Sequence, residues 1–145
     1  MNQCGIFDVD GTLCNVSNIR HHLRNGNRNF DHFHADSVNC PPHQWVVNMA
    51  QNLSRNGIDI VVVTARKSRW FNVTWWWLNE NRVPYVDLLM RDDWDQRPDY
   101  EVKEDILHRI NQRWVPVLAV DDNPNVVGLW RENGIPTIQV PGWED

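Results

Sequence analysis

The chain has 145 residues, of which 41% are hydrophobic and 23% are charged, a balance typical of a single soluble domain with enough apolar mass for a central sheet. No apolar run approaches the roughly 20 residues that cross a bilayer, and the N-terminus lacks a signal core, so we expect a cytoplasmic protein with no membrane partner. The formal net charge of −5 opposes extended contact with a polyanion, so any binding of nucleic acid is expected to be local.

The first predicted element is a strand over residues 4–9, which leads into the turn Asp8-Val9-Asp10-Gly11. From about residue 14 to residue 40 the sequence has no clear periodicity and is rich in Asn, His and Arg. Because this stretch is too long for an ordinary loop between a strand and a helix, we predict a small insertion or lid. Its segment Arg20–Arg28 contains three arginines and two histidines, which predicts a locally basic rim on an acidic protein.

Helices and strands alternate through the remaining chain. The patterns predict helices at about 43–56, 70–81, 101–113 and 124–133, and strands at 59–63, 86–90, 117–120 and 137–140. The apolar, β-branched run Ile60-Val61-Val62-Val63 is typical of a strand covered on both faces. This alternation predicts an α/β fold in one domain over residues 1–145: a Rossmann-like parallel sheet of about five strands with helices on both faces and a ligand site at the carboxyl ends of the strands.

Polar residues follow three of the predicted strands, and they would meet in one crevice. Asp8 and Asp10 follow the first strand, Thr64 the second, and Asp121-Asp122 the fourth; Lys103, near the start of a helix, can approach from the side. Clustered carboxylates raise one another's pKa unless a cation is present, and all-oxygen ligands favour Mg²⁺. Asp121-Asp122-Asn123-Pro124 also has the features of a helix cap, which is compatible with metal binding.

This set of residues fits phosphoryl transfer. A carboxylate kept ionised beside Mg²⁺ and Lys103 can attack phosphorus and form an aspartyl-phosphate. The second carboxylate of the Asp8-Val9-Asp10 pair can give a proton to the leaving oxygen and then activate water. As a simpler alternative, the pair could be only a turn, although that leaves the other polar strand ends unexplained.

The sequence resembles the haloacid dehalogenase (HAD) superfamily, whose four motifs occur in order as Phe7-Asp8-Val9-Asp10-Gly11-Thr12-Leu13, Val63-Thr64, Lys103 and Asp121-Asp122. The resemblance implies a phosphatase with Asp8 as nucleophile, Asp10 as acid and base, and Thr64 and Lys103 as phosphate ligands. It also implies a Mg²⁺ ion bound by the carboxylates of Asp8, Asp121 and Asp122 and by the main-chain carbonyl of Asp10.

A narrower resemblance links the chain to the 3'-phosphatase domain of phage polynucleotide kinase-phosphatases. The segment from Arg91 to Lys103 is similar to their R-x3-D-x-R-x-D-x2-V-K motif, and Thr64-Ala65-Arg66 is similar to their Ser-Gly-Arg. This resemblance implies further substrate or phosphate contacts from five residues: Arg66, Arg28, Arg91, Arg97 and Asp99. Arg28 takes the place of an insertion arginine, with Arg20 and Arg24 as alternatives, and Arg91 and Arg97 could instead belong to an exposed ion-paired loop.

The function expected from this resemblance is Mg²⁺-dependent hydrolysis of a 3'-phosphate at a DNA or RNA end. A small-molecule phosphatase or nucleotidase is the alternative enzyme, and a non-catalytic phosphate-binding module is the alternative class. No GxxxxGK[ST] loop is present, so kinase activity is not expected and a separate kinase or ligase partner is possible.

Three other groups of residues suggest simpler structural roles. We expect packing to account for two of the three indoles of Trp75-Trp76-Trp77, since 100° steps around a helix place at least one of them near the surface. Three cysteines without CxxC spacing favour reduced thiols: Cys4, Cys14 and Cys40. Four loop histidines would permit a zinc site, but a solvated loop is favoured: His21, His22, His32 and His34.

Overall fold

The computed structural model describes residues 1–23 and 29–143. The predicted alternation of strands and helices is confirmed. The strands are β1 (Asn2–Phe7), β2 (Asp59–Lys67), β3 (Tyr85–Arg91), β4 (Trp114–Asp121) and β5 (Thr137–Gln139). The helices are α1 (Phe30–Asp36), α2 (Gln44–Arg55), α3 (Phe71–Glu80), α4 (Asp99–Asn111) and α5 (Pro124–Glu132). Among the described residues, no helix has the length and apolar character needed to cross a membrane.

The five strands form one parallel sheet in the order β3-β2-β1-β4-β5. In this register Phe7, the last residue of β1, pairs with Val62 on one side and with Val120 on the other. The residues that follow these three positions therefore emerge together at the carboxyl edge of the sheet. The predicted Rossmann-like sheet of about five strands is confirmed.

Two apolar layers sandwich the sheet. On one face, Ile60 and Val62 of β2 pack in a cluster with residues of α2 and α3, including Val46 and Trp77. On the other face, Val61 and Val63 belong to a cluster with residues of α4 and α5 such as Ile106 and Trp130. Since alternate residues of a strand point to opposite faces, the continuous apolar run of β2 supplies both layers, and the predicted helices on both faces are confirmed.

Several boundaries differ from those predicted. Strand β1 ends at Phe7, so Asp8 and Asp10 lie in the turn beyond the strand. Strand β4 is twice as long as the predicted 117–120, because it continues through Trp114 at one end and Asp121 at the other. Helix α4 begins at Asp99, two residues before the predicted start, and the acidic side chains of Asp99 and Glu101 suit its first turn, where the helix dipole favours negative charge.

The segment predicted as an insertion contains helix α1 and two short 3-10 turns, Arg20–Leu23 and Ser37–Asn39. The Asn29 side chain caps α1 by accepting a hydrogen bond from the amide of His32 at 3.0 Å. Buried side chains of this segment, including Val16, Ile19 and Phe33, join the apolar layer that contains α2 and α3. The segment is therefore packed onto the domain on the side that carries the candidate site.

The tryptophan run of α3 differs from its prediction. Trp77 is buried, and its indole N–H donates to the carbonyl of Cys40 at 2.8 Å. Trp75 and Trp76 are 48% and 45% exposed. The prediction that packing accounts for two of the three indoles is wrong, because the rings of Trp75 and Trp76 both lie on the solvent side of α3.

Candidate active site

The polar ends of β1, β2 and β4 converge on one cleft of about 780 Å³, as the sequence predicts. The amide of Asp8 donates to the carbonyl of Val120 at 3.1 Å, which fixes the turn after β1 against β4. All ten predicted site residues within the described part of the chain line this cleft, and eight of them are Asp8, Asp10, Thr64, Arg66, Arg91, Arg97, Asp99 and Lys103. Asp121 and Asp122 line the same cleft.

Lys103 is a buried cation that links two carboxylates of the cleft. Its Nζ lies 2.9 Å from Asp8 Oδ1 and 2.8 Å from Asp121 Oδ2, and all three side chains are more than nine-tenths buried. Burial alone would lower the pKa of Lys103, but the two carboxylates raise it above its usual value. The ammonium group of Lys103 therefore stays charged and holds Asp8 in place.

Asp8, Asp121 and Asp122 form a carboxylate cluster whose oxygens lie within 4.8 Å of one another. The Thr12 hydroxyl joins two of them, at 3.2 Å from Asp8 Oδ2 and 3.3 Å from Asp122 Oδ1. Burial and the neighbouring Asp121 charge raise the pKa of Asp8 and raise that of Asp122 to about 6, although Lys103 opposes both shifts. Even with Lys103 and with Arg20, which lies 3.5 Å from Asp122, three buried carboxylates leave an excess of negative charge, and their oxygens are the ligands that a hard divalent cation prefers. The cluster could therefore hold a metal ion.

The turn after β1 places this cluster because Gly11 has no side chain. Gly11 adopts a φ of +81°, and a Cβ built on it would lie 2.0 Å from Asp122 Oδ2. No L side chain fits there without displacing the Asp122 carboxylate, so the glycine of the Asp-Gly pair is needed both for backbone conformation and for close approach.

Asp10 forms an ion pair with Arg66, which lies near the carboxyl end of β2. Arg66 donates from Nε to Asp10 Oδ2 at 2.9 Å and from Nη2 to Asp10 Oδ1 at 2.6 Å, while its Nη1 donates to the Thr74 hydroxyl at 3.0 Å. Burial alone would raise the pKa of Asp10, but the charge and hydrogen bonds of Arg66 lower it. The Asp10 carboxylate is therefore ionised in this arrangement, and it faces Arg66 instead of joining the carboxylate cluster.

The family model described as "Polynucleotide kinase PNKP phosphatase domain" matches residues 2–142, nearly the whole chain. The chain belongs to this family. It is a phosphatase domain of the HAD superfamily and of the polynucleotide kinase-phosphatase (PNKP) type.

Solved structures agree with this assignment. A chain of the "Pnkp1/Rnl/Hen1 RNA repair complex" superposes with a TM-score of 0.83 at 25% identity, covering 96% of this chain and 42% of that one. A class C acid phosphatase from Bacillus anthracis with tungstate bound gives 0.72 at 14% identity, covering 97% and 67%. A HAD family enzyme from Bacteroides thetaiotaomicron, in complex with magnesium and inorganic phosphate, gives 0.57 at 12% identity, covering 100% and 97%. The last two show the fold alone. The PNKP-type domain spans less than half of the Pnkp1/Rnl/Hen1 chain that it matches.

The loop that carries the PNKP-like motif is held together by Arg91. Its guanidinium, which is nearly buried, donates to the carbonyls of Ala65 at 2.8 Å and Asp95 at 3.1 Å and to the Asp99 carboxylate at 2.7 Å. These bonds tie the end of β2 to the loop between β3 and α4. Arg91 is thus engaged within the protein, and a contact between Arg91 and phosphate stays a prediction.

Arg97 is also ion-paired, although its side chain is partly exposed at the cleft. It contacts the carboxylate of Asp95 at 2.8 Å and that of Asp105 at 2.6 Å. Hydrogen bonds from Arg97 lower the pKa of Asp95, which is itself largely covered. The ion-paired loop considered from the sequence is therefore present at Arg97, at the rim of the cleft, and a role for Arg97 or Asp99 toward substrate stays a prediction.

The insertion contributes Arg20 to the cleft. Its Nη2 lies 3.5 Å from Asp122 Oδ2, and its Nη1 donates to the carbonyl of Trp143 at 3.4 Å. Arg28, which the sequence comparison favours, and Arg24 lie outside the described residues. Arg20 is thus the candidate insertion arginine that the described structure places beside the carboxylate cluster.

Three residues at the site were not predicted there, namely Thr12, His34 and Thr74, and Arg20 was predicted only as an alternative to Arg28. Thr12 lies in the quoted Asp10-Gly11-Thr12 motif, so its position was available from the sequence. Thr74 lies inside α3, one turn after Trp70, and no sequence signal distinguishes its hydroxyl from other helix threonines. His34 was expected in a solvated loop, with zinc binding as the alternative. The solvated position is wrong for His34, which is buried, and the potential metal cluster found among the described residues contains carboxylates alone.

Proposed function

We propose that this PNKP-type domain is a Mg²⁺-dependent phosphatase that removes the 3'-phosphate from nucleic-acid ends through an aspartyl-phosphate on Asp8. The observation that carries the proposal is the environment of Asp8. Lys103 and Thr12 each donate a hydrogen bond to one Asp8 oxygen, Asp121 and Asp122 lie beside Asp8, and the three carboxylates and Lys103 line the cleft. A carboxylate needed only for ion pairing would not require two further acids beside it.

Asp8, Asp121 and Asp122 would hold the Mg²⁺ ion, and the family resemblance adds the main-chain carbonyl of Asp10. When bound, the ion would supply positive charge that keeps Asp8 ionised and neutralises phosphoryl oxygens. The cluster fits this role because burial and mutual repulsion raise the pKa values of Asp8 and Asp122 in the absence of a cation.

In the first step a carboxylate oxygen of Asp8 attacks phosphorus, an O–P bond forms, and the bond from phosphorus to the 3' oxygen breaks. Lys103 lies beside the attacking group and would stabilise the negative charge on the phosphoryl oxygens, with the Thr64 hydroxyl as a second contact. In the second step water attacks the same phosphorus, the Asp8–phosphate bond breaks, and inorganic phosphate leaves.

Asp10 would give a proton to the leaving 3' oxygen and then take one from the attacking water. The ion pair with Arg66 opposes this role, since it keeps the Asp10 carboxylate ionised. A substrate phosphate would compete with Asp10 for Arg66. As the guanidinium turns toward the phosphate, the pKa of Asp10 would rise and the carboxyl group could hold the proton that it donates. Arg66 thus has two proposed tasks, binding phosphate and controlling the protonation of Asp10.

A nucleic-acid end is the proposed substrate because the chain belongs to the PNKP phosphatase family. The similar chain from the Pnkp1/Rnl/Hen1 RNA repair complex favours a place in end repair. A separate kinase or ligase is the proposed partner, since a 3'-hydroxyl end is what a ligase joins.

The test compares initial rates on a 3'-phosphorylated RNA or DNA oligonucleotide, a mononucleotide and an aryl phosphate, each with Mg²⁺ and with a chelator. We expect the oligonucleotides to be preferred, the chelator to abolish turnover, and Asp8→Asn to be inactive. Asp87→Asn, outside the cleft, is the control for removal of a carboxylate. Acid-quenched single turnovers should yield a peptide phosphorylated at Asp8. Full activity of Asp8→Asn would refute the mechanism, and a preference for the small substrates would refute the substrate.

A further inference from the structure

One wall of the cleft is made of three aromatic side chains, which we call the aromatic shelf: Phe30, His34 and Trp70. The rings of Phe30 and His34 are stacked, with centroids 6.3 Å apart and planes 24° apart, and the His34 and Trp70 centroids lie 5.5 Å apart. Phe30 and His34 come from α1 in the insertion, whereas Trp70 precedes α3. All three line the cleft, so the shelf joins the insertion to the rest of the site.

Core packing does not account for the exposed part of the shelf. Phe33 is the phenylalanine of α1 that packs into the apolar layer, while Phe30, one turn earlier, is 50% exposed. A single exposed aromatic residue is ordinary, but three contiguous rings at the mouth of a cleft with a charged floor provide a surface on which a planar group can stack.

His34 adds a polar atom to this surface. The side chain is only 8% exposed, and its Nδ1 has no hydrogen-bond partner in the described parts of the chain. Burial lowers the pKa of His34 to about 4, against the opposing effect of Asp10, so the ring is neutral near pH 7. An unpartnered buried nitrogen is unfavourable, and a bound molecule that offers a hydrogen bond would recover part of that cost.

The shelf and the proposed proton donor line the same cleft. Asp10 is part of the lining together with Phe30, His34 and Trp70. Since Asp10 would give its proton to the leaving oxygen, the leaving nucleoside must enter the cleft that the shelf lines. Lys67 and Arg69 lie between Arg66 and Trp70 along the chain and also line the cleft, so cationic groups flank the shelf.

We propose that the aromatic shelf is the subsite for the nucleobase of the nucleotide that carries the scissile phosphate. The base stacks on the exposed face of the shelf, while the 3'-phosphate reaches Asp8. This assignment rests on the proposed function and extends it from the phosphate to the terminal nucleoside. Stacking of one base on aromatic side chains contributes about 1–3 kcal/mol, which corresponds to roughly 5- to 150-fold in KM.

The test combines a change in the enzyme with a change in the substrate. KM and kcat are measured on two 3'-phosphorylated oligonucleotides, one complete and one whose terminal sugar lacks its base, with wild-type protein and with Phe30→Ala and Trp70→Ala. We expect loss of the base to raise KM of the wild type by roughly 5- to 150-fold and to change KM of the shelf variants by less than about 3-fold. Trp75→Ala, which removes a similarly exposed ring outside the cleft, should behave like the wild type.

Two results would overturn the shelf assignment while leaving the proposed function intact. One is a wild-type enzyme that processes the base-bearing and abasic ends equally well. The other is a shelf variant that loses the same factor on both oligonucleotides. Failure of the wild-type protein to hydrolyse either oligonucleotide, with turnover of an aryl phosphate retained, would instead refute the proposed nucleic-acid substrate.

Discussion

Replacing Lys103 with methionine removes the cation that bridges Asp8 and Asp121 while it keeps much of the side-chain volume. At an effective dielectric constant of about 20, each contact near 2.9 Å is worth about 6 kcal/mol before desolvation. Removing one partner of a buried ion pair costs about 3–5 kcal/mol after desolvation is counted, because the remaining charges stay buried without compensation. For a domain of this size we therefore expect a fall in Tm of about 10–15 °C in the absence of divalent cations.

The measurement is thermal unfolding of wild-type and Lys103→Met protein in a chelator, repeated with millimolar Mg²⁺. Mg²⁺ should raise the Tm of the variant at least as much as that of the wild type, since the ion would replace the missing charge. Activity should stay about 10²- to 10³-fold below wild type even with Mg²⁺, because the ion does not replace the ammonium donor. The double variant Lys103→Met/Asp121→Asn should recover about half of the lost stability, since it removes one uncompensated carboxylate.

Arg113→Met is the control for loss of an ion pair. Arg113 contacts Asp87 at 3.0 Å, but its side chain is 63% exposed, so its loss should cost no more than about 1 kcal/mol. A Lys103→Met protein as stable in chelator as Arg113→Met would refute the reasoning. It would mean that the buried carboxylates relieve their repulsion by taking up protons, and that Lys103 does not hold the site together.

Three further predictions follow from the same site. Gly11→Ala should lose activity and the stabilisation by Mg²⁺, because its Cβ would collide with Asp122. Gly57→Ala is the control, since Gly57 has a φ of +82° but no atom lies within 4 Å of a Cβ built on it. Gly57→Ala should lose about 1–2 kcal/mol of stability and keep its kcat. In chelator, the raised pKa of Asp122 destabilises the native state progressively as the pH rises from about 4 to about 6. The free energy of unfolding of Asp122→Asn should therefore equal that of the wild type near pH 4 and exceed it at pH 7 by up to about 3 kcal/mol. Denaturant unfolding at the two pH values measures the difference. For an oligonucleotide substrate, a plot of log KM against log salt concentration should have a slope of about 1.4 if Lys67 and Arg69 contact two phosphates. The double variant Lys67→Gln/Arg69→Gln should have a smaller slope. With an aryl phosphate as substrate, neither the salt nor the double variant should change KM. The first prediction would be contradicted if Mg²⁺ stabilised Gly11→Ala and Gly57→Ala equally. The second would be contradicted if the stability difference between Asp122→Asn and the wild type did not depend on pH, and the third if Lys67→Gln/Arg69→Gln left the salt slope unchanged.

The sheet and the carboxylate cluster could be predicted because their signals are local. The β-branched run Ile60 to Val63 identifies a central strand, and the Asp-Gly turn places Asp8 at a strand end, whatever the rest of the chain does. Parallel topology then brings strand ends together without knowledge of individual contacts. Helix α1 was not predicted, because it has only seven residues and buries few side chains. A helix this short does not show a clear helical spacing of apolar residues in the sequence.

The pairing of charges inside the cleft could not be predicted, since it depends on competition among many groups at similar distances. Arg66 could have faced phosphate, Asp8 or Asp10, and it pairs with Asp10, 56 residues away in sequence, because the Thr74 hydroxyl fixes its third nitrogen. Arg91 resembled a phosphate ligand by spacing, yet its donors are used to shape the loop that the motif occupies. Spacing in a sequence specifies which groups reach a site, but not which of them bind one another there.

The net charge of the chain also has a different meaning once the cleft is known. Of the twelve Lys and Arg side chains among the described residues, seven line it: Arg20, Arg66, Lys67, Arg69, Arg91, Arg97 and Lys103. Seven Asp side chains line it too, so the formal charge of the described lining is zero, against −5 for the whole chain. A bound divalent ion would bring the cleft to +2. An acidic protein could thus attract a polyanion at this place. Because the net positive charge would come from the metal, we expect Mg²⁺ to bind before the nucleic-acid end does.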